Sequence, residues 1–310
     1  MNTRTPFAST VGPALGALTV LCWSAYNVAA KHGIDEGLAP EVLSFLRFSV
    51  PGLIALPVLA VFLMKRRRSP VPLHRLAVLI FLGGPVFGVM AVSGYSYAPL
   101  SHGLLFAPVA VFMSAAFFGR LLLGEAVTRP RIFGALIMFS GLAVLVGFET
   151  SGLSVEWLRG TIFFSLAGAM WGAYTVLLKH WQIPFLSGTL AVSAGSSVAS
   201  LIVLGPVVYG AMAVTPVESI LFQALMQGLV GGVLSVIALI GALRALSAQT
   251  AALLPTFTPA VALLIAAFFG AAWPTPAELI GMAVIAIGFM VAASGFSARW
   301  IRRAARVRAA

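Results

Sequence analysis

Residues 22 to 32 read C-W-S-A-Y-N-V-A-A-K-H, and 148 positions later residues 170 to 180 read M-W-G-A-Y-T-V-L-L-K-H. Six of the eleven positions are identical, four of them in the uncommon types Trp, Tyr, Lys and His. Self-similarity at a fixed offset constrains the architecture before any single helix is argued, because a duplicated half must build the same unit twice. Both copies lie inside apolar stretches, and in a membrane chain duplicated halves point to a carrier.

Composition agrees with a membrane setting. Over 310 residues, 60% are hydrophobic and 9% charged, with a mean hydropathy of +1.05; soluble domains carry about 25% charged residues. The net charge of +11 does not mark a nucleic-acid binder, since the basic residues sit in short runs between apolar stretches. A single cysteine, Cys22, leaves no disulfide framework and no cysteine-based metal site.

Apolar stretches fall near 11–31, 40–64, 74–97, 101–123, 130–148, 157–178, 186–211, 217–242, 249–270 and 277–298. Each can cross about 30 Å of hydrocarbon at roughly 1.5 Å per residue. The expected fold is therefore an all-α integral membrane protein of ten transmembrane helices. With the N-terminus in the cytoplasm, sixteen of the nineteen Lys and Arg residues lie inside; Lys31 and Arg159 lie outside, and Arg47 lies within the second span. The positive-inside rule thus places both termini in the cytoplasm. The first span is kept as a mature helix, not a cleaved leader, because the sixth span carries the same motif.

The duplication extends further. Pro108 followed by Ala115-Ala116-Phe117-Phe118-Gly119 matches Pro259 followed by Ala266-Ala267-Phe268-Phe269-Gly270. Gly134 and Gly141 in span five match Gly281 and Gly288 in span ten, and the spacing of seven puts each pair on one helix face suited to close packing. The halves are expected to be 1–150 and 151–310. Five spans per half is an odd number, so the second half must run through the membrane inverted, around a central cavity.

This pattern resembles the drug/metabolite transporter superfamily of the EamA type. The residues that carry the likeness are the W-x-A-Y-x-V-x-x-K openings at 23–31 and 171–179, Leu46-Arg47-Phe48, Pro108, Pro259 and the Gly124-Glu125-Ala126-Val127-Thr128 turn. The second half has Gly270-Ala271-Ala272-Trp273-Pro274 in place of that turn, so no role for the glutamate carries over to it. The resemblance implies two inverted five-span repeats and, within the family, the bacterial inner-membrane exporters of amino acids, aromatic ones included, and related metabolites.

On a helix turning about 100° per residue, Trp23, Tyr26, Asn27 and Lys31 share one face. Trp171, Tyr174, Thr175 and Lys179 repeat it. Trp23 lies about 12 Å deeper than Lys31, below the interfacial depth where Trp is ordinary. The plain alternative is that these aromatics pack against neighbouring helices while the lysines snorkel. Arg47 is harder to assign to packing, because a cation in hydrocarbon needs a cavity or a partner. His102 and Gln249 begin spans four and nine and read as caps or solute contacts; Thr256 adds a hydroxyl to the candidate site. Arg47 or Lys31 would hold a carboxylate and the aromatic faces an apolar side chain or ammonium, which suits amino acids.

All eight carboxylates fall near span ends or in loops, so none stands mid-membrane as a proton relay. No nucleophile with a base, no paired carboxylates and no metal-ligand set appears within the spans, so an enzyme, a resident metal and a cofactor are not expected. A multidrug or phosphorylated-metabolite carrier, and a structural or lipid-scrambling protein, remain the rival functions. Pro85 in span three, Pro108 and Pro259 are candidate hinges. Spans five and ten are expected to pack through their glycines at the side of the carrier or in a homodimer.

Overall fold

The computed structural model describes residues 6–66, 71–147, 154–183, 185–246 and 248–308. In chain order the helices are α1 (Pro6–Asp35), α2 (Pro40–Arg66), α3 (Leu73–Gly83), α4 (Pro85–Ser93), α5 (Leu100–Leu123), α6 (Arg129–Gly147), α7 (Val155–His180), α8 (Phe185–Val203), α9 (Gly205–Val214), α10 (Val217–Gln223), α11 (Ser235–Ala245), α12 (Ala248–Phe268) and α13 (Pro276–Arg308). A 3-10 turn occupies Gly94–Ser96, and a π-helix, Ala224–Leu234, joins α10 to α11. The body of each of the ten apolar stretches is helical. Among the described residues, seven helical stretches are long and apolar enough to cross a bilayer, while Gly205–Val214, Leu254–Phe268 and Pro276–Ala292 are apolar but shorter.

Two stretches expected to be single helices are broken. Span three divides where Gly84 leaves helical geometry (φ −108°, ψ −144°) and Pro85 starts α4. Proline fits a first helical position because its missing N–H would be unpaired there anyway. Span seven divides at Leu204, and Pro206 stands near the start of α9.

The chain forms two compact units, each drawing helices from both halves of the sequence. One holds Met1–Ser24, Glu125–Leu153 and Ser235–Ala310. Within it α6 and α13 run antiparallel. A Cβ placed on Gly134 would stand 2.5 Å from the Gly288 carbonyl oxygen, and one on Gly288 would stand 2.7 Å from that of Gly134. Gly141 faces the Gly281 carbonyl at 3.0 Å in the same sense. Only glycine admits backbones this close. The pairing is reciprocal, since Gly134 corresponds to Gly281 in the repeat and Gly141 to Gly288. In the same unit the Ser24 hydroxyl donates to the Thr258 carbonyl at 3.1 Å.

The other unit holds Ala25–Gly124 and Ser154–Leu234. Here α7 runs parallel to α5, laying Gly168 and Gly172 on the backbone at Ala107 and Val111. The Ser114 hydroxyl fastens the crossing by donating to the Ala169 carbonyl at 2.6 Å. Leu38, Val42, Leu43 and Leu46 pack with Val92, Leu204 and Val208 into a core between α2, α4 and α9. In this unit the first copy of the motif, from Tyr26 on, lies beside α2 and the π-helix.

Candidate functional site

The site is built on the part of α1 from Tyr26 to Asp35. Arg47, seven residues and so about 10 Å into α2, places its guanidinium 4.2 Å from the centroid of the Tyr26 ring. Both side chains are half-buried. The ring face supplies the negative end of a quadrupole to a cation that has left bulk water, while the edge of the guanidinium keeps its N–H donors for an anion.

The backbone beneath Tyr26 is held from the far side. Gln227 and Gln223 are fully buried; Nε2 of Gln227 donates to the Tyr26 carbonyl at 2.9 Å, and Nε2 of Gln223 donates to the Ala29 carbonyl at 2.8 Å. The two amides also meet, Gln227 Nε2 donating to Gln223 Oε1 at 3.2 Å. Gly231 lies against the Tyr26 ring, where a Cβ would come within 3.0 Å. Gln227 and Gly231 both belong to the π-helix, a rare geometry that concentrates at functional sites. Sequence reasoning passed over these glutamines, although two amides four residues apart in an apolar span were a readable signal.

One residue beyond Tyr26, Asn27 accepts a hydrogen bond through Oδ1 from the buried Tyr95 hydroxyl at 2.9 Å. One turn further, Lys31 pairs with Asp35. Lys31 and Asp35 line a cavity of about 660 Å³ together with Tyr95, Ser96, Tyr97 and Pro99. The Arg159 guanidinium stands 5.9 Å from the Tyr97 ring centroid.

The second copy of the motif is divided between two settings. Tyr174 is buried in a core with Val71, Leu79, Ala191 and Val192, its ring so close to Gly83 that a Cβ there would lie 2.9 Å away. Trp171, 39% exposed, stacks on Tyr174 with centroids 4.9 Å apart and leans on Phe87 at 5.3 Å. Thr175 and Lys179 are exposed, so Trp171, Thr175 and Lys179 form one open stripe along α7. The Thr175 hydroxyl donates to the Gly172 carbonyl at 2.8 Å.

The remaining expected residues are scattered. His102 is buried, stacked on Phe106 at 5.6 Å and edge-on to Trp157 at 5.4 Å, so it is sheathed in aromatic rings. Trp23 and Thr256 are half-buried in the unit that contains α6 and α13. The Gln249 side chain lies outside the described residues. Pro85 stands at the break between α3 and α4 and accepts a hydrogen bond from Ser44 at 3.0 Å, whereas Pro108 and Pro259 lie inside continuous helices. Among the described residues, no group of three or more His, Cys, Asp or Glu could hold a metal ion.

The family model of the EamA-like transporters matches the chain twice, over residues 10–147 and again over 158–294. The chain belongs to the EamA-like transporter family, and so to the drug/metabolite transporter superfamily. An uncharacterized protein of Pseudomonas aeruginosa is 33% identical over 151 residues, 46% of this chain and 47% of the relative. The match thus spans about half of that relative's length. A solved crystal structure matches with a TM-score of 0.59 at 23% identity, covering 91% of this EamA-like chain and 95% of the other. At that identity the likeness speaks to fold alone.

Proposed function

We propose that this EamA-like protein is a secondary transporter that exports amino acids, aromatic ones included, and related small metabolites across the inner membrane by alternating access. The observation that carries the reading is the Arg47 guanidinium held over the Tyr26 ring at 4.2 Å. A cation this far along a membrane helix costs several kcal/mol unless a cavity or partner receives it. Tyr26 supports it from one face, and a solute carboxylate would complete it. Asn27 and Lys31 continue the polar face toward the end of α1, and Trp171, Thr175 and Lys179 offer a second polar and aromatic stripe on α7.

The topology that goes with this function is ten crossings in two inverted five-helix repeats, with both termini in the cytoplasm. Spans four and six must then run parallel and spans five and ten antiparallel, which are the directions of the α5/α7 and α6/α13 pairs. The double family match agrees with this arrangement. Bending would concentrate at Gly84 and Pro85, with Pro108 and Pro259 softening α5 and α12. A homodimer through spans five and ten would use their outward faces, because their glycines meet within one chain.

Purified protein in liposomes, assayed for uptake and counterflow of a labelled amino-acid panel, tests the reading. Saturable flux of several amino acids that is lost in Arg47→Ala is the expected result. Flux of phosphorylated metabolites or lipophilic cations alone, or lipid scrambling alone, would replace it with one of the rival functions.

A further inference from the structure

The positive-inside reading leaves two cations for the outer side, Lys31 and Arg159, and the structure brings Lys31 to one cavity and Arg159 to a residue that lines it. Lys31 lines it, and Arg159 stands over the ring of Tyr97, which lines it too. Asp35 is the one acid among the residues lining that cavity, paired with Lys31 but more than half exposed. An ion pair so open to water is held weakly and exchanges readily for other partners. Tyr97 is set as a flat platform, stacked on Phe163 with centroids 5.8 Å apart and planes 5° from parallel. Tyr95 also lines the cavity, and its hydroxyl bonds Asn27 next to the Arg47–Tyr26 pair. A volume of about 660 Å³ falls in the usual range for small-molecule pockets, about 300–1,000 Å³.

Resting on the transport reading above, we infer that this cavity is a second binding station specific for zwitterionic α-amino acids. Lys31 takes the carboxylate, Asp35 takes the ammonium, and Tyr97 with Arg159 behind it receives the side chain. The two charged side chains exchange their mutual pair for the two charges of the solute, so no buried charge is left uncompensated. A simple anion would leave Asp35 opposing it, and a simple cation would meet Lys31. A solute leaving Arg47 and Tyr26 reaches this station about one and a half helical turns along α1.

The test uses three probes: L-phenylalanine, its decarboxylated analogue phenethylamine and its deaminated analogue 3-phenylpropanoate. Each competes against labelled L-phenylalanine in counterflow, and binding of each to the detergent-purified protein is measured by calorimetry. Asp35→Asn should lower the preference for phenylalanine over 3-phenylpropanoate about tenfold and keep the preference over phenethylamine; Lys31→Met should do the reverse. Asp35→Ala serves as the second acid variant, and thermal unfolding of each protein checks that it is folded. Wild-type flux of phenylalanine with both preferences intact in all variants, or with all three probes weakened equally, would overturn the station and leave the transport reading standing. Neither binding nor flux of any amino acid by the wild type would overturn both.

Discussion

In the first copy of the repeated motif the tyrosine lies beneath a guanidinium; in the second, its counterpart is buried in an aliphatic core. Tyr26 is half-buried, with Arg47 over its ring and Gln227 on its carbonyl. Tyr174 is buried against Gly83 in a core of aliphatic side chains. Six shared residues in eleven therefore specify the helix and its faces but not the chemistry around them. That chemistry is brought by the neighbours: a cation on α2 and amide side chains from α10 and the π-helix for one copy, and the aliphatic side chains of Val71, Leu79, Ala191 and Val192 for the other. The duplicated tyrosine carries a cation on its ring in one half and is packed in an aliphatic core in the other.

The strongest way to break this contrast is Tyr174→Ala. Removing a buried ring that Gly83 approaches so closely leaves a cavity, and aromatic-to-alanine changes in cores cost about 3–5 kcal/mol. Thermal unfolding in detergent should show a clear drop in Tm, while Tyr26→Ala, at a half-buried position, should show a smaller one. Equal drops would mean that both tyrosines are packing residues. Next in size is Arg47→Leu, which leaves Tyr26 without its cation. Charge-assisted hydrogen bonds contribute about 1.5–3 kcal/mol, so amino-acid flux should fall by about 10- to 100-fold with little change in Tm. Unchanged flux would mean that Arg47 takes no part in binding the solute.

Much of the frame behind these predictions was legible in the sequence. The seven-residue spacing of Gly134 and Gly141, repeated at Gly281 and Gly288, put the glycines on single faces, and the structure sets those faces against each other. Pro85 was legible only as a hinge in span three; the structure breaks the helix there outright, at Gly84 and Pro85, which both disfavour a continuous helix. The pairing of Arg47 with Tyr26 was not readable, since the residues lie 21 positions apart on different helices and meet only when α1 packs on α2. Nor was the π-helix, whose hydrogen-bond pattern leaves no local signature; Gly228, Gly231 and Gly232 lie where it meets Val50, Tyr26 and Pro51. The helix-face argument placed Tyr174 with Trp171, Thr175 and Lys179. It has no means of telling which member of a face a neighbouring helix will cover.

Tyr26→Leu sharpens the comparison further. The substitution keeps an apolar side chain against Gly231 but removes the ring face under Arg47, and a cation–π contact contributes about 0.5–2 kcal/mol. The expected outcome is a KM for amino acids raised about 2- to 30-fold, with kcat and Tm less affected. A KM at the wild-type value would show that the guanidinium needs no ring to hold it.

The smallest expected effect is that of Trp171→Phe, and it decides what the open stripe of the second copy contributes. Phenylalanine keeps a ring to stack on Tyr174 and Phe87 but has no indole N–H and less surface. If the stripe offers only an aromatic wall, the loss of stacking stays within about 1 kcal/mol, and KM should move by about fivefold or less. A shift larger than that of Tyr26→Leu would require the indole N–H to donate directly to the solute. The second copy would then be the more selective of the two, and Arg47 would serve to attract the solute more than to orient it.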